Sequence, residues 1–239
     1  MQYIDLTFPS PQENLACDEA LVDLCESGYD HQILRLWQPA GHFVVLGYSS
    51  RMRAEVYLDS CAARRIPVLR RLSGGGAVMQ GPGCLNYSLL LKIQEPGPLS
   101  NVTGANVFIM ERQRQALARA TGAAIGIRGF TDLTLGERKF SGNAQYRRRR
   151  SLLFHGTFLL HADMDLMEEL LPVPPRQSPY RRNRSHGEFL TDLQLPASAV
   201  KDALREAWQA GESFKDVPLQ RIRELAAGRY SREEWNCRF

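Results

Sequence analysis

The feature that most constrains this chain is a glycine triplet with two arginines before it and apolar, β-rich sequence on both sides. The motif spans residues 70–83 and reads Arg-Arg-Leu-Ser-Gly-Gly-Gly-Ala-Val-Met-Gln-Gly-Pro-Gly. Glycines lack a Cβ and can adopt positive φ, so the backbone can come close to a ligand. Successive free N–H groups in such a turn form an anion-binding concavity. Arg70 and Arg71 beside it are suited to holding a phosphate or carboxylate. The pattern favours a binding site over a flexible surface turn, because glycine inside a strand system usually marks a close approach.

A second motif places a lysine near another glycine. Residues 131–145 read Thr-Asp-Leu-Thr-Leu-Gly-Glu-Arg-Lys-Phe-Ser-Gly-Asn-Ala-Gln, and the part at 135–138 predicts a tight hairpin turn. The turn would direct Lys139 along the next strand, while Gly142 permits close backbone approach. Lysine is a compact, mobile charge that can bridge a carboxylate and a phosphate. Taken alone, Lys139 would be interpreted as an exposed strand lysine.

A third motif is Phe-His-Gly-Thr at residues 154–157, within the predicted strand 152–160. A lone histidine in such a place is more often structural than catalytic. We therefore expect His155 to be part of the wall of a site or to support its wall.

The order of predicted elements indicates an α+β fold. Strands dominate the middle of the chain and helices flank them, which favours a mixed or antiparallel sheet over a series of βαβ units.

Asn14 is the expected cap of the first helix, and a Pro39-Ala40-Gly41 turn is expected to join the first two strands. Residues 172–187 are rich in proline and arginine and are expected to form a long surface loop. Residues 1–239 are expected to form one domain, with 172–239 as its loop and helical C-terminal part. The predicted helices are 14–24, 54–65, 106–120, 163–171, 197–210 and 219–227, and the predicted strands are 33–37, 43–47, 68–72, 85–91, 124–127, 138–144 and 152–160.

Composition excludes several classes of protein. No apolar run approaches the roughly 18 residues that span a bilayer, and the N-terminus lacks the pattern of a signal peptide. The 5 cysteines form neither a disulfide framework nor a C-x-x-C pair, so a cytoplasmic setting is expected. The net charge is +4, with one arginine run at residues 147–150 and a cluster at 176–184. These clusters are either solvated faces or a patch for an acidic partner or phosphates. No nucleic-acid-binding signature is present, so neither nucleic acid nor a membrane is an expected partner.

Together these motifs resemble the lipoate–protein ligase family, whose catalytic fold is shared with biotin protein ligases and octanoyltransferases. The arginine–glycine string followed later by Arg-Lys-x-x-Gly is highly specific for this family. Biotin ligases instead carry a loop in which glycine and arginine alternate, which is absent here. The resemblance covers nearly the whole chain and is carried by residues 14–16, 34–37, 44–47, 70–88, 132–144, 155–157 and 234–236.

The resemblance implies a biotin/lipoate ligase catalytic-domain-like fold and an enzyme that activates lipoate, or octanoate, with ATP as an acyl-adenylate. Lys139 would contact both the lipoyl carboxylate and the α-phosphate. The adenylate pocket and acyl-chain loop would be formed by Arg71, Ser73, Gly74, Gly75, Gly76, Ala77, Val78, Met79, Gly142, Asn143 and Ala144. Supporting positions would be Arg70, Gln80, Asn86, Asp132, His155, Gly156 and Thr157.

The resemblance also implies the partners of the reaction. Mg²⁺ is expected with ATP and held chiefly by phosphates, so no dedicated cluster of metal ligands is required. The acyl acceptor would be a lysine of a lipoyl domain or a GcvH-like carrier protein.

The chain departs from the family pattern in two places. Gln80 stands where the family usually has histidine, and glutamine cannot titrate near neutral pH. Many family members also carry a C-terminal accessory domain, whereas this sequence stops at Phe239. We therefore expect the isolated chain either to work slowly or to need a separate accessory-domain polypeptide that supplies the missing surface.

Two other functions remain open from the sequence. A transferase could move octanoyl or lipoyl groups without ATP by means of a cysteine nucleophile, for which Cys84 is the only serious candidate. A non-catalytic module could bind acyl lipids or carrier proteins, although retention of Lys139 and the whole glycine loop argues against it.

Overall fold

The computed structural model describes all residues from 1 to 239. Its strands are β1 Gln2–Asp5, β2 Ile33–Trp37, β3 Phe43–Leu46, β4 Val68–Arg70, β5 Val78–Gln80, β6 Cys84–Lys92, β7 Ile125–Arg128, β8 Asp132–Leu135, β9 Arg138–Arg147, β10 Ser151–Leu159 and β11 Glu212–Ser213. Its α-helices are α1 Pro11–Glu26, α2 Met52–Glu55, α3 Leu58–Ala63, α4 Val102–Thr121, α5 Met164–Leu170, α6 His186–Phe189, α7 Ala197–Ala207, α8 Leu219–Leu225 and α9 Glu233–Asn236. A 3₁₀ turn covers Pro179–Arg181 and a π-helical turn covers Ala226–Tyr230.

The strands form two sheets, and both are mixed. The larger sheet has 8 strands in the order β11-β1-β2-β6-β10-β9-β8-β7. Its first three strands are parallel, and every later pair is antiparallel. The smaller sheet has 3 strands in the order β4-β3-β5. The expected α+β fold with a mixed sheet flanked by helices is confirmed, and no helix is long and apolar enough to cross a membrane.

The central strands β2, β6 and β10 are buried on both faces because helices cover both. Side chains alternate between the faces of a strand. Leu34, Leu89 and Phe154 pack with α4 and α7 on one face, whereas Ile33 and Leu90 pack with α1 on the other. A third core lies under the small sheet, where it packs against α5 and α6. Nearly continuous apolar sequence in these strands is the expected result of burial on both faces.

The structure corrects two predictions about the N-terminal third of the chain. The first helix begins earlier than predicted, with Ser10 as its cap and Glu13 completing a capping box. Asn14 is a buried residue inside this helix, not its cap. The turn at residues 39–41 does not join a hairpin, because β2 lies in the large sheet and β3 in the small one.

The segment 172–187 is largely irregular and at least partly exposed, as predicted, but it does not lie wholly on the surface. It contains the 3₁₀ turn and the start of α6, and its side chains at Arg181 and His186 are buried. The ring of Phe189, at the end of α6, packs 5.1 Å from the ring of Tyr180. The proline run explains the lack of regular structure at the start of the segment, but it says nothing about burial.

Candidate functional site

One cavity of about 360 Å³ is lined by α1, both sheets, α5, α6 and the segment 172–187. This volume lies in the range of pockets that hold small ligands. Three of the predicted site residues, Arg70, Ser73 and Gly74, do not line it. The predicted residues that do are Arg71, Gly75, Gly76, Ala77, Val78, Met79, Gln80, Asn86, Asp132, Lys139, Gly142, Asn143, Ala144, His155, Gly156 and Thr157.

The glycine loop, residues 73–77, is held from inside by the side chain of Arg71. The guanidinium donates to the carbonyl oxygens of Gly74 and Gly76 at 2.7 and 3.0 Å, and to the Ser73 hydroxyl at 3.1 Å. Burial lowers the pKa of Arg71 to about 10. Most of its donors are therefore engaged by the loop, and Arg71 acts mainly as a scaffold for the loop's backbone.

Backbone geometry explains two glycines, Gly75 in this loop and Gly47 next to it. Gly75 has φ of +92°, a conformation that other residues rarely adopt. A Cβ on Gly47 would lie 1.8 Å from the Gly75 carbonyl oxygen, so the end of β3 touches the loop directly. Elsewhere in the loop, the Ala77 N–H donates to the Glu55 carboxylate at 2.8 Å. At least one loop amide is therefore oriented to bind an anionic oxygen.

Arg70 has a structural position and does not face the cavity. Its guanidinium donates to the carbonyl oxygens of Gly47, Ser50 and Asn236 at 2.7, 2.9 and 3.0 Å. The indole N–H of Trp235 donates back to the Arg70 carbonyl oxygen at 2.9 Å. Arg70 thus ties α9 to the segment that follows β3, residues 47–50, and it does not form a bidentate anion site with Arg71.

Lys139 reaches the cavity because β9 contains a bulge. Leu133 pairs with Ser141 while Thr134 pairs with Lys139, so β9 has one extra residue. Bulges of this kind redirect side chains next to functional sites. The Lys139 Nζ lies 2.7 Å from Asp132 Oδ1, and a Cβ on Gly142 would lie 2.7 Å from the same Nζ. The predicted two-residue turn at 136–137 is confirmed, with Gly136 at φ +57°.

Asn143 and Gly156 form a second close contact in the cavity wall. Asn143 Oδ1 accepts the Tyr87 hydroxyl at 2.6 Å, and Thr131 Oγ1 donates to the Asn143 carbonyl oxygen at 2.9 Å. A Cβ on Gly156 would lie 1.8 Å from Asn143 Oδ1. Gly156 therefore leaves the space that Asn143 occupies.

Gln80, Asn86 and Thr157 form a closed ring of hydrogen bonds. Gln80 donates to the Thr157 hydroxyl at 2.7 Å, and Thr157 donates to Asn86 Oδ1 at 2.6 Å. Asn86 donates back to Gln80 Oε1 at 2.8 Å. Gln80 is therefore a hydrogen-bonded part of the wall, a role that needs no titratable group.

His155 lies within β10, in agreement with the predicted strand 152–160, and it joins a row of polar residues. Arg35, Ser88 and His155 are directly paired across β2, β6 and β10 and share one face of the sheet. Asp18 from α1 lies over this row. Its carboxylate is 2.7 Å from Arg35 Nη1, 2.8 Å from the Ser88 hydroxyl and 2.9 Å from His155 Nδ1. The other imidazole nitrogen is 2.6 Å from the Ser73 hydroxyl, so the row reaches the glycine loop.

The environment of Asp18 stabilises its ionised form. Burial opposes ionisation, but the hydrogen bond from His155 and the charge of Arg35 outweigh it and hold the pKa of Asp18 below its usual value. The order Asp18–His155–Ser73 resembles the hydrogen-bond chain of a serine hydrolase. However, Ser73 is 1 % exposed and its oxygen accepts from Arg71. Its hydroxyl therefore holds the loop in place and is not presented as a nucleophile.

We predict that Asp18→Asn lowers the free energy of unfolding by about 3–5 kcal/mol, because it leaves Arg35 buried without an anion. Urea denaturation at neutral pH measures the loss. Asp30→Asn removes the carboxylate of an exposed pair with Lys92 and is the matched control. The denaturation midpoint of the control should be unchanged. A value for Asp18→Asn within about 1 kcal/mol of the parent would show that Asp18 does not organise this row.

The segment 172–187 contributes six residues to the cavity wall: Pro174, Arg176, Gln177, Ser178, Arg181 and His186. Tyr180 donates to Asp132 Oδ2 at 2.8 Å, so Asp132 binds both this segment and Lys139. Burial and the charge of Arg181 lower the pKa of His186 to about 4, which keeps its imidazole neutral at physiological pH.

No cysteine lines the cavity. Cys17, Cys25, Cys61 and Cys84 are buried, and Cys237 is exposed near the C-terminus. Burial raises the pKa of the Cys84 thiol to about 11, which disfavours the thiolate. The cavity therefore offers no activated sulfur nucleophile, and no three His, Cys, Asp or Glu side chains are grouped to hold a metal ion.

The two arginine clusters lie at opposite ends of β9, about 30 Å apart at 3.3 Å per residue. Arg184 donates to the Glu137 carbonyl oxygen beside the start of β9, whereas Arg147 ends the strand. Arg147 also donates to the Leu99 carbonyl oxygen at 2.7 Å. The clusters do not form one patch, and only the 176–184 cluster adjoins the cavity.

Sequence reasoning missed Asp18, Phe130 and His186. Arg176 and Arg181 were named only as part of the arginine cluster at 176–184, interpreted as a solvated face or a patch for an acidic partner or phosphates. Two signals pointed to Asp18: its spacing of four residues from Asn14 on an apolar helix, and a lone arginine in the apolar strand 33–37. His186 carried no comparable signal. Phe130, in the turn between β7 and β8, is 89 % exposed although it borders the cavity.

Comparison with known proteins finds one family. A sequence model of the lipoyl protein ligase A/B catalytic domain matches residues 10–208. Lipoate-protein ligase A subunit 1 of Thermoplasma acidophilum is 28 % identical, over 93 % of this chain and 90 % of the relative. Octanoyltransferase LipM of Halalkalibacterium halodurans is 24 % identical, over 99 % of this chain and 98 % of the relative.

Solved structures agree with the sequence comparison. A structure of a bi-partite lipoate protein ligase and its E2 lipoyl domain from Thermoplasma acidophilum matches with a TM-score of 0.84 and 26 % identity. The match covers 99 % of this chain and 95 % of that one. A lipoate-protein ligase A bound with ATP matches with a TM-score of 0.80 and 25 % identity, covering 99 % of both chains.

Proposed function

Since this chain belongs to the lipoyl protein ligase A/B catalytic domain family, we propose that it is an ATP-dependent lipoate–protein ligase. It activates lipoate or octanoate as the acyl-AMP and transfers the acyl group to a lysine of a carrier protein. The observation that carries the proposal is the position of Lys139 on the cavity wall with the glycine loop, in a cavity without a cysteine. Such a site can activate a carboxylate by charge but cannot form a thioester.

In the first step, a carboxylate oxygen of the acid attacks the α-phosphorus of ATP. The new O–P bond forms as the bond to the β-phosphate oxygen breaks, and pyrophosphate leaves. Negative charge develops on the α-phosphate, where preorganised donors lower the barrier. Lys139 supplies one such donor once its Nζ moves from Asp132, which lies 2.7 Å away. Amides of residues 76–79 supply others, and the Ala77 N–H can do so only after it leaves the Glu55 carboxylate.

In the second step, the neutral amine of the carrier lysine attacks the acyl carbon. The C–N bond forms, the C–O bond to AMP breaks, and the nitrogen loses a proton to solvent. Lys139 stays on the carbonyl oxygen and stabilises the charge that develops there. Mg²⁺ would enter with the phosphates of ATP, which supply the oxygen ligands it prefers.

The apolar part of the cavity fits a medium-chain acid. Its wall includes Leu15, Trp37, Val45, Met79 and Leu159. Burying each CH₂ group of the chain there contributes about 0.8 kcal/mol. Lipoate and octanoate are both medium-chain acids. The apolar wall therefore explains affinity for both acids, but it does not explain selectivity between them.

The carrier and a second polypeptide are the proposed partners. The similar structure from Thermoplasma acidophilum is of a bi-partite lipoate protein ligase and its E2 lipoyl domain. By analogy, a lipoyl domain presents its lysine at the cavity mouth, and a separate accessory polypeptide assists the reaction. Phe130, which is 89 % exposed at this mouth, is suited to contact such a partner.

The test is acid-dependent exchange of labelled pyrophosphate into ATP. A ligase is expected to show exchange with lipoate or octanoate alone, and carrier modification should require ATP. Cys84→Ser should keep at least about half of the activity, because Cys84 is buried, does not line the cavity and has a raised thiol pKa. Cys237→Ser, at the exposed cysteine, is the control for nonspecific effects.

The competing function is that of the octanoyltransferase relatives. Transfer of octanoyl from an acylated carrier without ATP, lost in Cys84→Ser, would replace the ligase proposal with a cysteine-dependent transferase. Absence of both exchange and transfer would favour a binding module instead.

A further inference from the structure

Four arginines are buried in this protein, and they differ in what satisfies their charge. Arg35 pairs with the Asp18 carboxylate at 2.7 Å. Arg70 and Arg71 each donate to three or more backbone carbonyl oxygens. Arg181 is 5 % exposed, lines the cavity and has neither arrangement.

The guanidinium of Arg181 has donors without partners. Its Nε donates to the Arg184 carbonyl oxygen at 3.1 Å, and no acidic side chain pairs with it. Its Nη2 is sealed from solvent and bonded to nothing. One face of the group lies 4.7 Å from the centre of the Phe189 ring, which orients it. Leaving a buried cation in this state is costly unless an anion compensates it, so the wall is built to receive an anion.

The acidic residues near Arg181 already have other partners. Asp132 binds Lys139 and Tyr180, and Glu168 accepts the Gly187 N–H at 2.7 Å. Burial lowers the pKa of Arg181, but guanidinium remains charged in proteins. His186 contributes no charge at neutral pH because its pKa is about 4. The positive charge of Arg181 therefore has no direct ion pair, and only the more distant Asp132 and Tyr180 oppose the effect of burial on its pKa.

The number of unpaired cations indicates the kind of anion. Arg176 also lines the cavity, is exposed and forms no ion pair. A monocarboxylate carries one negative charge, which Lys139 can meet once its Nζ moves from Asp132. Two further guanidiniums match a phosphate-bearing group with two or more charges, and planar guanidinium binds phosphate oxygens bidentately.

We propose that Arg181, together with Arg176, forms a phosphate subsite that holds the polyphosphate tail of the nucleotide. This inference rests on the proposed ligase function. The segment 172–187 then contributes to catalysis by stabilising the leaving pyrophosphate, while Lys139 acts at the α-phosphate. The same chemistry would also accept the phosphate of a phosphopantetheine thioester, the acyl donor that a transferase would use.

The test is isothermal titration of the whole chain with ATP, AMP, inorganic pyrophosphate and octanoyl-phosphopantetheine. Arg181→Met keeps an apolar stem against Phe189 and removes the charge. Arg181→Met should weaken the binding of ATP and of pyrophosphate at least about tenfold, while the affinities for AMP and octanoate change less than about threefold. Arg181→Lys should recover part of the loss, since it keeps the charge but not the fork.

Arg182→Met is the matched control, because Arg182 is exposed in the same segment and does not line the cavity. The affinity of Arg182→Met for every ligand should equal that of the parent. Urea denaturation of each variant identifies any loss of folding. If Arg181→Met does not fold, the ligand affinities of Arg181→Lys and Arg176→Met are compared with those of the parent instead. Equal ATP and pyrophosphate affinities in the folded Arg181 variants and the parent would overturn the subsite.

The outcomes separate this inference from the function on which it rests. If the parent binds octanoyl-phosphopantetheine but not ATP, and Arg181→Met weakens that binding, the phosphate subsite stands and the ligase proposal fails. If the parent forms acyl-adenylate but Arg181→Met leaves pyrophosphate binding intact, the ligase proposal stands and the subsite fails. Binding of neither phosphate compound by the parent would overturn both.

Discussion

Replacement of Lys139 by alanine is expected to reduce acyl-adenylate formation about 10³-fold or more, because it removes a donor aimed at charge that develops in the transition state. The loss corresponds to about 4 kcal/mol of barrier. Lys139→Arg should recover little, since its planar fork cannot occupy the same point as the ammonium. Acid-dependent pyrophosphate exchange measures the effect.

The control for this variant must separate loss of charge from loss of fold. Lys139 is 25 % exposed at its side chain, and its ion pair with Asp132 lies at the cavity wall. Lys92→Ala removes a lysine that pairs with Asp30 on the surface and should leave exchange unchanged. If Lys139→Ala is folded by urea denaturation and still exchanges pyrophosphate at more than about a tenth of the parent rate, Lys139 is not the catalytic cation.

The second large effect is expected from Gly47→Ala. A Cβ at this position would lie 1.8 Å from the Gly75 carbonyl oxygen and 2.8 Å from its carbonyl carbon, so one backbone must move. The glycine loop is the more movable of the two, because β3 is the central strand of the small sheet. A displacement of about 1 Å of the loop can cost about 10²-fold in rate. We expect weaker binding of the acid and a loss of exchange of at least this size.

Gly41→Ala is the matched control for Gly47→Ala. Gly41 lies just before β3, and a Cβ there would meet nothing within 4 Å. This variant should exchange pyrophosphate at the parent rate. The crowding should also lower the free energy of unfolding of Gly47→Ala by about 1–3 kcal/mol. Parental exchange by Gly47→Ala would mean that the loop need not touch β3 during the reaction.

The predicted and observed sites agree best where backbone chemistry dictates the outcome. A turn at residues 136–137 follows from local sequence, and Gly75 has the positive φ that the triplet suggested. Most predicted site residues line one cavity. Arg70 does not line the cavity, whereas Arg71 lines it but uses most of its donors on the loop. An arginine next to a glycine loop can bind either a ligand or the loop itself, and only the tertiary structure shows that carbonyl oxygens use most of these donors.

The sequence by itself determined the α+β class, the family resemblance and the presence of a glycine loop followed by a lysine hairpin. These follow from periodicity, turn residues and backbone freedom, which act over short stretches of chain. Tertiary structure alone decided that Asp18 binds Arg35, Ser88 and His155, because this contact depends on strand pairing and on the position of α1. It also decided that the segment 172–187 covers the cavity. Long-range contacts of this kind depend on packing between elements, and packing leaves no periodic signal in an irregular segment.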